Sequence, residues 1–328
     1  MRKILVLLAG SFLFIAACNK SSKQDDGSSL VADEDKFTAT QRKCAADDVL
    51  QEQLKNDAAL RERMNKIEEF TRGVVANPTS YRLLSSGIIE IPVVVNVLYR
   101  TTAQNISAAQ IQSQIDVLNK DYSTTNSDYN LTSTYNSVKS GDIRVRFVLD
   151  QVVRKSTTKK SWTTNDAIKK SAQGGINVTS PTTKLNLWVC NLSGGILGYA
   201  QFPGGSSETD GVVIDDNATG TTGTAAAPFN KGRTATHEIG HWMNLRHIWG
   251  DATCGNDQVG DTPLHNAANF GCPPAGHLST CSGTPVEMTM NYMDYTDDAC
   301  MYMFSVGQKT RMLAVFASGG PRNGFAQP

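Results

Sequence analysis

The sequence predicts an α+β fold in which strands and helices come first and an irregular, cysteine-rich region follows. Up to His247, the chain has β-branched apolar runs and segments whose apolar residues recur at helical spacing. After His247 this periodicity ends, and glycine, proline, aspartate and four cysteines become frequent. The 328 residues are enough for one large domain with accessory segments.

The N-terminus has the pattern of an export signal. A basic pair precedes an apolar run over residues 4–17, which is too short to span a bilayer comfortably. The run ends in the letters IAAC, which resemble a bacterial lipobox, so residues 1–18 are predicted to be a lipoprotein signal peptide with lipidation at Cys18. An ordinary signal peptide is the alternative. We therefore expect an exported lipoprotein of the bacterial outer membrane or cell surface, whose mature domain can be released.

Charge and composition limit the partners of the chain. Lysine plus arginine and aspartate plus glutamate both total 31, so no net field favours nucleic acid or an anionic membrane. Membrane contact is predicted only through a lipid anchor at Cys18, because no other stretch could span a bilayer. Residues 19–35 are rich in serine, aspartate and lysine with little to bury, and they predict a disordered tether.

An amphipathic segment follows the tether. Between residues 47 and 72, apolar residues recur at roughly helical spacing among charged ones, which predicts a helix or a pair of helices. Gly73 and then Asn77-Pro78 are expected to end this helical segment.

Strands and helices of the main domain begin near Gly87. Strands are predicted at residues 88–99, 143–153, 185–189 and 211–215, with an edge strand near 196–202. Pro92 indicates a bulge or an edge near the start of the first strand. Ser107 is expected to cap a helix with Ile111, Ile115 and Leu118 on one face, and Thr234 to cap the helix that carries His237.

Three of the five histidines lie in one short window, HEIGHWMNLRH, at His237, His241 and His247. His237 and His241 are at i and i+4, so both imidazoles can reach one metal ion from one face of a helix. Glu238 flanks the same site and could take a proton from a metal-activated water. His247 would lie off that face on a continuous helix, so the chain must turn after about Leu245. A chance match, with the histidines in the core or on the surface, is the alternative.

Two strings carry a resemblance to a known family. HEIGHWMNLRHIWGD and NYMDYTDDACMYMF resemble the pappalysin family of metzincin zinc peptidases, in particular its short microbial members. The resemblance extends over about residues 88–316 and is specific over 234–308. It implies a metzincin-like zincin fold: an N-terminal twisted mixed β-sheet with a backing helix and an active-site helix, then an irregular disulfide-crosslinked C-terminal subdomain. It also implies a zinc metalloendopeptidase with a catalytic domain at residues 73–328.

The resemblance also implies roles for single residues. The zinc ligands would be His237, His241 and His247, with Glu238 as general base. Asn244 stands where the family motif has glycine, and asparagine is the residue that best replaces glycine in a left-handed turn. Three residues complete the site that the family pattern implies, namely Met293 as a structural floor below the metal, Tyr295 as the stabiliser of the oxyanion and Asp298 at the base of the S1′ pocket.

For Asp298 and for the loop that resembles a calcium site, the sequence leaves a second interpretation open. A carboxylate at Asp298 implies cleavage before arginine or lysine, whereas the alternative is a solvated loop acid. Residues 256–262 resemble a family calcium site, with Asp257, Val259, Asp261 and Thr262 as the Ca²⁺ ligands, and an acidic turn without an ion is the alternative.

Seven cysteines in an exported chain invite disulfides. Four of them cluster in the last third, and their spacing leaves three pairings open. The resemblance implies the pairs Cys254–Cys281 and Cys272–Cys300. Cys190 ends an apolar run and is expected to be a buried strand thiol.

Cys44 suggests a latent precursor. Residues 36–72 are predicted to be a pro-segment that places the Cys44 thiolate on the zinc, because thiolates are good zinc ligands. A surface thiol, or a disulfide with Cys190, is the alternative. Activation would need a cut between Cys44 and Ile88, and the bonds before Arg72 and before Arg82 are the candidates.

The sequence therefore predicts a secreted or surface-anchored zinc endopeptidase that is made as a zymogen and acts on proteins or peptides. A zinc-binding, catalytically weak peptide-binding module is one alternative, and an intact Glu238 disfavours it. A non-proteolytic zinc amidohydrolase is the other. The predicted edge strand near residues 196–202, which could pair with an extended peptide, favours a polymer substrate.

Overall fold

The centre of the fold is a five-stranded sheet. This computed structural model describes residues 39–77 and 87–326. The lipobox at Cys18 and the bond before Arg82 lie outside the described residues. The strands are β1 Ile89–Tyr99, β2 Val145–Ser156, β3 Leu185–Cys190, β4 Gly198–Ala200 and β5 Val212–Asp215. Their spatial order is β2-β1-β3-β5-β4, and only β4 runs antiparallel to its neighbour. The predicted strands are confirmed, and β4 is the edge strand expected near residues 196–202.

Pro92 lies where β1 has a partner on one side only. It pairs with Val148 of β2, whereas the pairing with β3 begins at the next residue, Val93. A register shift follows between Val93 and Val94. Proline lacks a backbone donor, so this is a position in β1 where it is tolerated.

Three helices pack around the sheet: α3 Ala108–Ser123, α4 Arg233–Trp242 and α5 Val306–Ala314. Ser107 caps α3 as expected and accepts a hydrogen bond from Gln110 N at 3.1 Å. Ile111 and Ile115 of α3 share the main core with the apolar side of β1. The opposite face of the sheet is covered by a second cluster that includes Trp188 and Tyr199.

The cap expected for α4 is wrong. Thr234 lies inside the helix, and the N-cap is Gly232, which has a positive φ of 72°. The carboxylate of Asp298 instead accepts hydrogen bonds from Lys231 N at 2.7 Å and Arg233 N at 3.3 Å. A carboxylate at a helix N-terminus satisfies free backbone donors and interacts favourably with the helix dipole. Asp298, which is distant in sequence, therefore replaces a local capping side chain.

The predicted helical pair is confirmed as α1 Ala46–Asn56 and α2 Leu60–Ala76. The expected break at Gly73 is wrong, because α2 continues to Ala76. Thr71 and Val74 are buried, so packing of the last turn stabilises the helix through Gly73. The predicted boundary between residues 72 and 73 therefore falls inside a helix.

The region after His247 is mostly irregular, as expected. In the described part of the chain, disulfides join Cys254 to Cys281 and Cys272 to Cys300. Cys44 and Cys190 are the free cysteines among these residues, and both are buried. A search of the described residues found no helix long and apolar enough to cross a membrane.

Candidate metal centre and active site

The three histidines converge at the end of α4. His241 Nε2 lies 3.1 Å from His237 Nε2 and 3.1 Å from His247 Nε2. The Nδ1 atoms of His237 and His241 bond to carbonyl oxygens, Tyr292 O at 2.6 Å and Leu245 O at 2.8 Å. A carbonyl only accepts, so these Nδ1 atoms must carry the protons, and the Nε2 lone pairs of His237 and His241 face each other.

A Schellman turn brings His247 back to the first two histidines. Asn244 adopts a left-handed φ of 74° directly after the C-cap of α4. Asn244 N donates to His241 O and Leu245 N donates to Gly240 O, both at 2.9 Å. The turn predicted from the spacing of the histidines is therefore present, with asparagine in the position that favours glycine.

The residues fit a zinc ion. One ligand atom from each of Cys44, His237, His241 and His247 lies within 4.8 Å of the others, and all four residues are buried. Burial, together with the neighbouring imidazoles, lowers the pKa of His237 well below its usual value and that of His241 to about 3, so both rings are neutral. Converging lone pairs of neutral imidazoles repel one another unless a cation lies between them. Nitrogen and sulfur donors are also the set that zinc prefers.

His247 has a different environment from the other two histidines. Its Nδ1 contacts the carboxylate of Asp251 rather than a carbonyl. Its ring stacks on Trp249, with centroids 4.3 Å apart and planes 7° apart, and meets Tyr295 edge-on. Sequence reasoning missed Asp251 and Trp249. The sequence does contain a signal for Asp251. It lies four residues after the candidate ligand His247, where a short turn can bring its carboxylate back to the imidazole ring.

Cys44 contacts both Glu238 and Tyr295 beside the three histidines. Cys44 Sγ donates to Glu238 Oε2 at 3.4 Å, and Tyr295 Oη donates to Cys44 O at 3.0 Å. Burial raises the pKa of Glu238 to about 8 and that of the Cys44 thiol well above its ordinary value. Cys44 is therefore neither exposed nor paired with Cys190, and the fold brings it to the candidate catalytic residues.

Met293 lies under α4. A Cβ added to Gly240 would meet Met293 Sδ at 2.5 Å, so the sulfur touches the helix where only glycine leaves room. Met293 O accepts from Ile248 N at 3.1 Å, next to His247, and Tyr292 O bonds His237. This turn thus supports two of the three histidines through its backbone.

Asp298 forms a buried ion pair with Arg42. Arg42 Nη2 donates to Asp298 Oδ1 at 2.6 Å, and both side chains are almost fully buried. Arg42 also donates to Thr296 O and to Thr234 Oγ1, each at 3.1 Å. Its guanidinium lies 5.0 Å from the ring centroid of Phe229. Asp298 is thus a buried acid rather than a solvated one, and its carboxylate is already paired with the cation of Arg42.

The loop predicted to bind calcium is closed by its own hydrogen bonds. Thr262 Oγ1 donates to Asp257 Oδ2 at 2.8 Å and contacts Val259 O at 3.0 Å. Both oxygens of Asp261 accept from residues at the N-terminus of α5, Ser305 Oγ at 2.6 Å and Gly307 N at 2.8 Å. The structure therefore brings these four residues together beside the N-terminus of α5.

Comparisons with known proteins agree with this geometry. The family model Peptidase_M43, described as "Pregnancy-associated plasma protein-A", matches residues 181–317. An extracellular metalloprotease of Verticillium alfalfae is 36% identical over 239 residues, which cover 68% of this chain and 77% of that protein.

Two solved structures from Tannerella forsythia are similar to the described fold. Mature mirolysin in complex with a cleaved peptide has a TM-score of 0.70 and 43% identity, covering 73% of this chain and 95% of that one. A promirolysin mutant has a TM-score of 0.78 and 38% identity, covering 87% of this chain and 97% of that one. The precursor thus matches more of this chain than the mature form does.

Proposed function

The chain belongs to the pappalysin family of zinc metalloproteases, and we propose that it is the latent precursor of an exported endopeptidase that cleaves before arginine or lysine. The observation that carries this proposal is the position of Arg42 and Cys44. Arg42 pairs with the buried carboxylate of Asp298, and Cys44, two residues later, lies beside the three histidines.

Each residue of the site has a proposed role. His237, His241 and His247 would hold zinc, which when bound supplies Lewis acidity toward water and the substrate carbonyl. Glu238 takes a proton from the attacking water and passes it to the leaving amine. The Tyr295 hydroxyl, which donates to Cys44 O in the precursor, donates to the developing oxyanion of the substrate once Cys44 has left.

Specificity would come from Asp298. The Arg42 guanidinium makes a charge-assisted hydrogen bond to Asp298, and its plane lies near Phe229. A substrate arginine after the scissile bond could use the same partners. Lysine could reach the carboxylate but would lose the fork geometry, so arginine should be preferred.

Latency would follow from two effects of the pro-segment. Ala45 N donates to Gly198 O at 3.0 Å and Leu197 N donates to Lys43 O at 2.9 Å, so the pro-segment occupies the free edge of β4. A substrate strand cannot pair with that edge at the same time. Cys44 would also fill the coordination position that catalysis needs open.

Activation would require a cut between Cys44 and Ile88. The bond before Arg72 lies within α2, where Thr71 is buried, so we propose the bond before Arg82 as the site of cleavage. The catalytic domain would then start after α2. The N-terminal sequence of the mature protein tests this assignment.

Export and anchoring are proposals that rest on residues outside the described part. Relatives named extracellular metalloproteases support export. Lipidation at Cys18 would tether the precursor to a membrane, and removal of the pro-segment would release the catalytic domain. Fatty-acid labelling that persists after Cys18→Ser would contradict the anchor.

Calcium at Asp257, Val259, Asp261 and Thr262 is likewise proposed. Carboxylate, carbonyl and hydroxyl oxygens are the ligands that calcium prefers, and this loop groups them beside α5. A melting temperature that rises with calcium but not with magnesium would support the site. No change with either ion would contradict it.

Digestion of a peptide library by the activated protein tests the proposed activity. Cleavage before arginine should appear, disappear with a chelator and return with zinc. Glu238→Ala should retain zinc but lower kcat by at least ~10², the usual scale for a general acid–base. Cleavage that is insensitive to Glu238→Ala would remove the mechanism. Hydrolysis of small amides without peptide cleavage would favour the amidohydrolase alternative.

Replacing the thiol tests latency. The Cys44→Ala precursor should mature faster than the wild type, whereas the Glu238→Ala precursor should stay intact because it cannot cut itself. Cys190→Ala is the matched control, because Cys190 is also a buried free thiol but lies outside the metal cluster. A Cys44→Ala precursor that matures at the wild-type rate would rule out the switch.

A further inference from the structure

Arg311 on α5 forms a contact with the pro-segment away from the histidines. Its Nε donates to Asn244 O at 2.7 Å, which fixes the guanidinium on the catalytic domain. Nη1 and Nη2 donate to Glu68 Oε1 at 2.9 Å and Glu68 Oε2 at 2.5 Å. Among the described residues, Glu68 is the only hydrogen-bonded acceptor for these two nitrogens. The pair is bidentate, and the Arg311 side chain is 3% exposed.

An apolar contact continues the same surface. Val74 of α2 is buried in a cluster with Ala314 and Ala317, and Phe70 packs against this cluster. Thr71 is also buried, and its Oγ1 accepts from Asn244 Nδ2 at 3.4 Å. The helix α2 thus contributes Glu68 and an apolar stripe to this contact. The facing surface of the catalytic domain consists of Arg311 and the small residues Asn244, Ala314 and Ala317.

The contacts of α2 do not depend on an intact chain after Ala76. The cut that activates the precursor would fall in the segment after α2, before β1 begins at Ile89. Cleavage there breaks none of the hydrogen bonds of Glu68 or Thr71. Loss of α2 would break this bidentate charged pair and expose the apolar contact to water, and both losses oppose dissociation.

We propose that the face formed by Arg311, Asn244, Ala314 and Ala317 is a docking surface for an amphipathic helix that presents one glutamate beside an apolar stripe, and that its occupant is α2 of this chain after cleavage. This inference rests on the proposed latency. The cleaved pro-segment stays on the enzyme as a non-covalent inhibitor, and activity begins only when α2 leaves. The cut and the onset of activity are then separate events.

Release of the cleaved pro-segment from the full chain tests this proposal. The precursor in a Glu238→Ala background is cut by limited trypsin treatment after Arg82, so that no step depends on its own activity. Size-exclusion chromatography then measures the N-terminal fragment that stays with the catalytic fragment. The wild-type fragment should co-elute. Glu68→Gln should release it at least ~10-fold faster, because a charged hydrogen-bonded pair is lost.

Two control variants make the result specific. Glu69→Gln changes the exposed neighbour of Glu68 on the same helix and should behave like the wild type. Cys44→Ala should retain the fragment, because α2 is anchored independently of the thiol. Equal release from Glu68→Gln and Glu69→Gln, or loss of the fragment from Cys44→Ala, would overturn the docking proposal.

Activity measurements separate this proposal from the proposed latency. In the Glu238-containing chain, wild-type protein should show a lag between cleavage and activity, and Glu68→Gln should shorten it. An uncut precursor that is already fully active would refute the proposed latency, whereas a co-eluting fragment together with immediate full activity would refute inhibition by the cleaved pro-segment. No co-elution together with a latent uncut precursor would refute docking alone.

Discussion

The three histidines of the metal centre differ in the partners of their Nδ1 atoms. His237 and His241 bond to backbone carbonyls, whereas His247 contacts the carboxylate of Asp251. A carboxylate partner fixes the ring and makes the opposite nitrogen a stronger donor to a metal than a carbonyl partner does. Asp251 therefore positions the ring of His247, the third candidate ligand, and Trp249 stacks on the face of the same ring.

Removing the charge of Asp251 should weaken zinc binding. Asp251→Asn keeps the shape of the side chain, and we expect zinc affinity to fall by ~10–100-fold. Competition with a chelator measures this affinity independently of activity. Asp116→Asn, an exposed acid on α3, is the matched control. If both variants hold zinc as tightly as the wild type, Asp251 does not act through His247.

Asp298 has two sets of partners, because it pairs with Arg42 and also accepts hydrogen bonds from Lys231 N and Arg233 N at the start of α4. Asp298→Asn removes the charge while keeping one acceptor. The expected loss in kcat/KM on arginine substrates is at least ~30-fold, the scale for a broken buried charge pair. Substrates with an apolar residue after the scissile bond should change little. A uniform loss on both classes would indicate damage to α4 instead.

At the scale of elements, the end of α4 decides whether three histidines can meet. The helix supplies His237 and His241 on one face, and the Schellman turn at Asn244 returns the chain to His247. The helix also rests on Met293 through Gly240. The metal centre is thus a product of one helix, one left-handed turn and the segment beneath them.

Substitution of Asn244 should affect stability according to backbone conformation. At a φ of 74°, Asn244→Ala should lower the free energy of unfolding by about 1 kcal/mol, because alanine tolerates the left-handed region less well. Asn244→Gly should be neutral or slightly stabilising. Urea unfolding of the mature protein, which lacks the Thr71 partner of Asn244, measures both. An alanine variant as stable as the glycine variant would show that the turn carries no conformational preference.

At the scale of the whole molecule, the pro-segment holds the catalytic domain at two places. Arg42 pairs with Asp298 and Cys44 lies beside the three histidines, whereas Glu68 of α2 pairs with Arg311 of α5. The residues of these two contacts come from opposite ends of the described chain. Retention of the pro-segment should therefore respond to conditions that act on either contact.

Acid should weaken the contact at Glu68. Burial alone would raise the pKa of Glu68, but the hydrogen bonds and charge of Arg311, with Arg246 and Arg72 nearby, lower it below 4.5. A group whose pKa is lowered in the bound state stabilises binding above its free pKa and loses that effect as the pH falls through the bound value. Co-elution of the cleaved fragment should therefore decrease below about pH 4.5.

Glu68→Gln isolates this effect, since it cannot titrate. Its fragment should be released faster than the wild-type fragment above about pH 4.5, and the two release rates should converge at lower pH, where Glu68 of the wild type is protonated. The same dependence in both proteins would assign the acid response to other groups.

Local patterns in the sequence determined much of this protein. The i, i+4 histidines, the left-handed asparagine, the strands and the cap at Ser107 each depend on neighbours within a few residues, so short-range spacing is enough to predict them. The tertiary structure alone decided that Asp298 rather than Thr234 completes the start of α4, and that α2 continues through Gly73. It also decided that Asp251 supports His247 and that Glu68 meets Arg311. Tertiary packing determines these partners, because burial and pairing between distant segments outweigh local propensity.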